Sequence, residues 1–280
     1  MADVYVDERT KAMLETVAAA ACELSIKWMI TGAAGRVMLL EGIYGMPRGR
    51  ATQDVDLGVM VASWEQYRAL VGHLEQGAQF QSDPKQRQRL RFMGDGLLDL
   101  VPFGDIESGE RSVAWPPEND FVMSVVGFRE AYTDTIPVPL GGLDVPVVSP
   151  VGLALLKLVA WHERHHGQPK KDAADLAYVL RHFRAILTEE TLFNEHFPEV
   201  EAAGYDVDLA ACRVLGQKMA RLTEPDTGTF VRKVLEEQLQ QGTDSTLVRE
   251  VAEHSGGADA ERAFELLRSL TTGLTGVAKY

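Results

Sequence analysis

Two aspartates separated by one residue are the clearest candidates for chemistry in this sequence. Asp54 and Asp56 flank Val55 at the start of a β-branched stretch, and residues i and i+2 of a strand share one face. Two adjacent carboxylates repel each other unless a cation lies between them, and divalent ions such as Mg²⁺ bind carboxylate oxygens together with substrate phosphates. The pair therefore predicts a metal site, and a solvated strand end is the alternative.

A third carboxylate, Asp99, lies in the middle of the apolar segment Leu97-Leu-Asp-Leu-Val101. A buried charge without a partner would cost several kcal/mol, and a shared cation would remove that cost. If this segment is a strand beside residues 55–61, Asp99 can join the aspartate pair in holding two ions, one activating an acceptor oxygen and one steadying the leaving group. Asp99 is also a candidate to accept the proton of the acceptor.

A turn of small residues, Thr31-Gly-Ala-Ala-Gly35, comes before the aspartate pair in the chain. It follows a predicted strand at 26–30 and precedes a predicted helix that carries Val37 and Ile43. Backbone N–H groups at such a turn can bind phosphate oxygens. We therefore expect Gly32 to lie near a triphosphate.

Two groups of charged residues are candidates in the C-terminal half. Lys157 interrupts an apolar helix face, where it either points at phosphate or extends its charge to water along its stem. Lys171, Asp172 and Asp175 begin another helix. For these three the alternative is a solvated first turn in which the aspartates favour the helix dipole.

A competing motif, His162-Glu163-Arg-His-His166, matches H-E-x-x-H. In that pattern two histidines bind zinc and the glutamate activates water, which would indicate a metallopeptidase. Gly167 and Pro169 follow at once, so the second histidine would fall on the last, irregular turn of the helix. The nearby candidates for a third ligand are Glu189 and Glu190.

The elements that must position these residues follow from periodicity and capping. We predict a helix capped by Asp7 and running to about 26, strands at 55–61, 88–93 and 97–103, a hairpin turn at 94–96, and a helix from Ser63 to about 75. Residues 136–148, rich in Pro, Val and Gly, predict edge strands or an extended linker. Ser149-Pro150 opens a helical half with helices at 151–166, 171–183, 209–222, 229–240 and 258–270. The fold class is therefore α/β (α+β): a mixed sheet with flanking helices over residues 1–148, and a helical C-terminal domain over 149–280 that closes over it.

Composition narrows the class of partner. The 280 residues are 45% apolar and 25% charged, without a run long enough for a membrane helix or a secretory signal, so a cytoplasmic location is expected. The net charge of −13 opposes non-specific binding to nucleic acid. The basic segment Lys85–Arg91 is either a solvated strand face or a local basic groove. Cys22 and Cys212 are expected to be small buried hydrophobic residues without a chemical role.

Together these segments resemble the DNA polymerase β nucleotidyltransferase superfamily. The order of residues 31–36, 50–56, 98–100 and 170–176 is most similar to the AbiEii-type nucleotidyltransferases, which include toxins of toxin–antitoxin systems. The resemblance implies a minimal nucleotidyltransferase fold, a nucleoside triphosphate bound with Mg²⁺ or Mn²⁺, and transfer of a nucleotide to a hydroxyl group. The acceptor, which is RNA, protein or a small molecule, is left open, and a cognate antitoxin is a candidate partner.

Carried over by position, the resemblance also implies roles for individual residues. It assigns the metal to Asp54, Asp56 and Asp99, the nucleotide to Gly32, Arg36, Thr52 and Lys157, and further catalytic roles to Lys171 and Asp172. Ala33 follows Gly32 where the superfamily usually has Gly-Gly or Gly-Ser. This departure leaves open a catalytically silent member of the fold that binds a nucleotide or a protein.

Overall fold

The computed structural model describes residues 6–50, 52–109, 111–164, 170–257 and 259–276. By its internal contacts the chain divides into two units, Met1–Ser149 and Pro150–Tyr280. The first contains sheets and helices, and the second is helical throughout its regular elements. The predicted α/β fold class is confirmed.

The first unit is organised around a seven-stranded mixed sheet. Its strand order is 3-4-5-2-1-9-8, and a separate two-stranded ribbon is formed by the sixth and seventh strands. The strands are β1 Lys27–Thr31, β2 Asp54–Met60, β3 Phe80–Ser82, β4 Arg89–Phe92, β5 Gly96–Phe103, β6 Ser112–Ala114, β7 Val122–Ser124, β8 Thr135–Leu140 and β9 Leu143–Val148. The helices are α1 Glu8–Glu23, α2 Gly32–Arg36, which continues as a π-helix over Val37–Ile43, α3 Trp64–Gln76 and α4 Phe128–Thr133.

The centre of this sheet combines both strand orientations. β2 is antiparallel to β1 and parallel to β5, while β1 is parallel to β9. The strands β1, β2 and β5 each carry a fully buried apolar side chain: Ile30 in β1, Leu57 in β2 and Leu100 in β5. Apolar burial on this scale is the main stabilising contribution to such a sheet, and it holds β2 and β5 in register at the sheet centre.

The predicted local signals in this unit are largely confirmed. Asp7 caps α1 by accepting a hydrogen bond from the Thr10 N–H at 3.0 Å, and Ser63 caps α3. The predicted hairpin joins β4 to β5, with its turn at 93–95, one residue earlier than expected. These features depend on residues close in sequence, so local chemistry was sufficient to predict them.

The segment 136–148 is a hairpin and not a linker. β8 lies at the edge of the sheet, but β9 lies inside it between β8 and β1. The prolines did suggest an edge, since proline donates no ladder hydrogen bond. Pro137 and Pro146 face each other across the hairpin, while the neighbouring Val145 and Val147 are buried. Two of the three missing N–H groups thus meet at one position of the ladder, and the third, at Pro139, lies opposite Asp144.

The second unit consists of eight α-helices among the described residues. They are α5 Pro150–Arg164, α6 Lys171–Leu187, α7 Glu189–Glu195, α8 Phe197–Ala202, α9 Val207–Leu222, α10 Pro225–Leu239, α11 Thr246–His254 and α12 Ala260–Thr275, with a 3₁₀ turn at Gly242–Asp244. The prediction missed α7, α8 and α11, which are the shortest and carry the fewest periodic positions. In the described part of the chain, no helix combines the length and apolarity that a membrane crossing requires.

The two cysteines differ in their exposure to solvent. Cys212 is buried in α9, and burial raises the pKa of its thiol. Cys22, which was expected to be buried, is exposed. It lies near the end of α1 on the side of the helix opposite Met13, Val17 and Ala20, which pack inward.

Candidate active site

The three predicted carboxylates meet at the centre of the sheet. In the parallel pairing of β2 with β5, Asp56 lies opposite Asp99 and Asp54 lies opposite Leu97. One carboxylate oxygen from each of Asp54, Asp56 and Asp99 lies within 4.8 Å of the others. The predicted adjacency of the two strands is confirmed. Among the described residues, these three side chains form the group able to hold a metal ion.

Gly32 allows the chain to approach Asp56 closely. Thr31 pairs with Asp56 in the register of β1 and β2, and helix α2 begins at the next residue. Gly32 has φ +63°, and a Cβ added there would lie 1.9 Å from Oδ2 of Asp56. A side chain there would be strained by the backbone conformation and would force the Asp56 carboxylate or the helix to shift.

The segment 31–35 is not a separate turn as predicted. It enters the helix directly at Gly32, and the helix then widens into the π-helix. Ala33, Ala34 and Gly35 are buried. Close packing explains why these residues are small. An added Cβ on Gly35, for example, would lie 3.3 Å from the Ile30 carbonyl oxygen. The predicted contact of Gly32 with a triphosphate stays a prediction.

Thr52 and Arg36 both contact the segment that carries the aspartates. The Thr52 hydroxyl donates to Oδ1 of Asp54 at 2.7 Å, which restrains that carboxylate. The buried guanidinium of Arg36 donates to Glu41 and to the Arg50 carbonyl oxygen. These bonds join the π-helix to the chain entering β2. They support positioning roles for both residues, and their predicted contacts with nucleotide stay predictions.

Arg89 is the residue of this site that the sequence interpretation missed. Its Nε and Nη2 donate to the two oxygens of Asp99 at 2.6 and 2.7 Å, and Nη2 lies 3.4 Å from Oδ2 of Asp54. The hydrogen bonds to Asp99 raise the pKa of Arg89, burial opposes this effect, and the charges of Asp54 and Asp56 add to it. The hairpin signal alone did not identify Arg89, because a turn at 94–96 would place Arg91 opposite Asp99, and the observed turn lies one residue earlier.

The other arginines of the segment 85–91 form neither a basic groove nor a freely solvated strand face. Arg87 donates to the Trp115 carbonyl oxygen and pairs with Glu118 and Asp120. Arg91 pairs with Asp83 at 2.6 Å. Ion pairing to nearby carboxylates balances these positive charges. Within the segment, only residues 89–91 lie in a strand, β4.

In the second unit, Lys157 belongs to a buried ion cluster. Its Nζ lies 3.1 Å from Oδ1 of Asp172 and 2.7 Å from Oδ2 of Asp175, and Arg164 donates to Asp172 at 2.9 Å. Lys157, Asp172 and Asp175 are all buried. Neither a lysine extending to water nor a solvated first turn describes these residues. Lys171 begins the same helix and is partly exposed. The catalytic and nucleotide-binding roles of Lys157, Lys171 and Asp172 stay predictions.

The H-E-x-x-H motif extends beyond the described residues, because His165 and His166 lie outside them. Of the described part, the His162 ring packs edge-on against Phe230, with ring centroids 5.3 Å apart, and Glu163 is exposed. Glu189 and Glu190 lie exposed in the first turn of α7. The zinc hypothesis therefore stays a prediction.

Three carboxylates on neighbouring strands, one of them against the first residue of a helix, agree with the nucleotidyltransferase class that the sequence resembles. The sequence model of the family described as "Nucleotidyl transferase AbiEii toxin, Type IV TA system" matches residues 38–262. The match spans most of the chain, so this protein belongs to that family. The predicted resemblance is confirmed. No curated protein matches the sequence.

The chain also matches solved structures, with TM-scores below 0.5. ANT(2'')-Ia in complex with adenylyl-2''-tobramycin matches with a TM-score of 0.41 and 16% identity over 70% of this chain and 96% of that one. The solution structure of the antibiotic-resistance factor ANT(2'')-Ia gives 0.40 and 17% over 71% and 99%. An antigenic nucleotidyltransferase-like protein from Paracoccidioides brasiliensis gives 0.43 and 19% over 82% and 94%.

Proposed function

We propose that this protein uses a divalent metal ion to transfer a nucleotide from a nucleoside triphosphate to a hydroxyl group. The observation that carries the proposal is the cluster of Asp54, Asp56 and Asp99, whose oxygens lie within 4.8 Å of one another. Membership of a nucleotidyltransferase family supports the reaction class. The choice of base and the acceptor, whether RNA, protein or a small molecule, are open within this proposal.

The donor set of the cluster fits Mg²⁺ or Mn²⁺. It contains carboxylate oxygens only, which these hard ions prefer to nitrogen or sulfur ligands. Asp54 and Asp56 are partly exposed, so their oxygens are accessible to an ion and to substrate phosphates. A bound ion would balance triphosphate charge and polarise the reacting oxygens.

The protein's own residues supply the geometry. Asp54 and Asp56 hold the ion, Thr52 fixes the orientation of Asp54, and Gly32 leaves space for the Asp56 carboxylate. Asp99 is the third carboxylate and is held by Arg89. A reactive arrangement needs such restraint, since an error of about 1 Å in a site can reduce the rate on the order of 10²-fold.

We further propose that the chain acts as the toxin of a toxin–antitoxin pair, with an antitoxin as its functional partner. The support for this role is the description of the family. A catalytically silent protein that binds nucleotide or another protein is the alternative. Calorimetry with each triphosphate, with and without Mg²⁺, combined with a transfer assay, separates binding alone from catalysis.

The test of transfer uses labelled triphosphates. The protein is incubated with each one and a cell extract, with Mg²⁺ or with EDTA, and nuclease or protease digestion identifies what is labelled. We expect labelling to require the ion and to fall at least about 100-fold in Asp56→Ala. Without metal, Asp56→Ala is expected to unfold at the same temperature as the unmodified protein or at a higher one, because the substitution removes one of three carboxylates that repel each other.

The matched control is Asp144→Ala, which removes an exposed carboxylate from β9 of the same unit. It should label acceptors as the unmodified protein does. Normal labelling by Asp56→Ala, or labelling that persists in EDTA, would contradict the proposed function.

A further inference from the structure

Arg89 presents a fixed positive charge to the carboxylate cluster. Its guanidinium contacts both oxygens of Asp99, at 2.6 and 2.7 Å, and extends to Asp54 at 3.4 Å. Two parallel N–H···O bonds from a planar guanidinium are the strong, directional form of this ion pair. The side chains of Arg89 and Asp99 are 15% and 12% exposed, so water screens the pair less than it would at the surface.

The backbone determines this contact. Arg89 lies directly opposite Asp99 in the antiparallel pairing of β4 with β5, and Asp56 lies opposite Asp99 in the parallel pairing of β5 with β2. Arg89, Asp99 and Asp56 thus lie along one line across three neighbouring strands. The pairing of β4 with β5 therefore keeps the side chains of Arg89 and Asp99 next to each other.

The contact with Arg89 makes Asp99 less accessible than Asp54. Both oxygens of Asp99 are engaged by Arg89, whereas Asp54 is the more accessible carboxylate, with 35% of its side chain exposed. Three carboxylates with one guanidinium leave a net charge of two negative units, which one divalent ion balances. Without the guanidinium the three carboxylates would attract a cation more strongly.

We propose that Arg89 is a positioning residue that serves as the permanent counter-ion of Asp99, so that a single divalent ion binds at Asp54 and Asp56 when no nucleotide is present. This inference rests on the proposed function for the existence of the metal site. It adds that Arg89 restricts both the number of ions and their affinity. Arg89 thus acts through Asp99, whose two oxygens it holds, and Asp99 is not a ligand of this single ion when no nucleotide is present.

The test measures Mn²⁺ binding to the full chain by calorimetry and by electron paramagnetic resonance of free Mn²⁺, without nucleotide. The unmodified protein should bind one ion at the cluster. Arg89→Gln removes the charge and frees Asp99, and it should bind Mn²⁺ about tenfold more tightly. If Arg89 only supported the fold of the site, its loss would weaken binding, so the sign of the change separates the two roles.

Two further variants serve as controls. Arg89→Lys keeps the positive charge and should bind Mn²⁺ within about threefold of the unmodified protein. The double variant Arg89→Gln/Asp99→Asn replaces the ion pair with a neutral pair of similar shape and leaves the same net charge on the cluster. It should also bind within about threefold, and it provides the test if the single glutamine variant does not fold.

The outcomes distinguish the inference from the proposed function. Equal or weaker Mn²⁺ binding by Arg89→Gln, or loss of binding in the double variant, overturns the role given to Arg89 while the metal site stands. Two ions bound to the unmodified protein at this cluster also overturn it. If the unmodified protein binds no Mn²⁺ without nucleotide, the inference fails, and the proposed function is decided separately by the labelled-triphosphate test with Mg²⁺ or EDTA.

Discussion

Gly32→Ala perturbs the site by adding a single carbon atom. Gly32 begins α2 directly beside Asp56, with φ +63°. The added Cβ would lie 1.9 Å from Oδ2 of Asp56 and 2.7 Å from its Cγ. The substitution therefore changes the position of a proposed metal ligand without changing any charge or hydrogen-bonding group.

Two separate costs determine how much stability and transfer activity Gly32→Ala loses. A left-handed conformation at a residue with a Cβ costs about 1–2 kcal/mol. In addition, real Cβ contacts do not fall below 3.0 Å, so Asp56 or the helix must shift from the 1.9 Å position by about 1 Å. A displacement of this size at a reacting centre corresponds to a loss of about 100-fold in transfer rate. We also expect weaker Mn²⁺ binding.

Gly45→Ala is the matched control. Gly45 has φ +65°, and an added Cβ there would have no heavy atom within 4 Å. Both variants place a Cβ at a residue with positive φ, so they share the cost in backbone energy. Denaturant titration compares their free energies of unfolding, labelled-nucleotide transfer compares their activities, and calorimetry compares their affinities for Mn²⁺. The control should lose about 1–2 kcal/mol of stability and keep transfer. Normal transfer and Mn²⁺ affinity in Gly32→Ala would refute the importance of this close approach.

Two further predictions concern the helical unit. Lys157→Met removes the cation between two buried aspartates and should lower the free energy of unfolding, measured by urea titration, by about 3 kcal/mol. The control Lys233→Met, at an exposed site, should change it by less than about 0.5 kcal/mol. A loss below about 1 kcal/mol for Lys157→Met would contradict the prediction. The Arg262 guanidinium lowers the pKa of Asp206, so its contribution is present above the unfolded pKa near 3.8 and is lost as pH falls through the lowered folded pKa. Asp206→Asn should therefore destabilise by about 1 kcal/mol at pH 7, allowing for screening, and a difference that does not shrink as the pH falls below 3.8 would count against it.

Sequence alone determined the features that depend on nearby residues. The side-chain alternation of a strand placed Asp54 and Asp56 on one face. The caps at Asp7 and Ser63 were likewise predicted and are present, and so is the hairpin between β4 and β5, with its turn one residue earlier than expected. The mixed fold class followed from the same patterns, because hydrophobic periodicity is a property of short windows of the chain.

The tertiary structure alone decided how the charges are balanced. Arg89 reaches Asp54 because β5, which carries its partner Asp99, lies parallel to β2 at the sheet centre. Lys157 is buried because α5 and α6 bring Asp172 and Asp175 to its ammonium group. Electrostatic energy depends on distance and on exposure to water, and neither is determined by separation along the chain. The sequence therefore identified the carboxylates, while the packing of the strands determined which cation accompanies them.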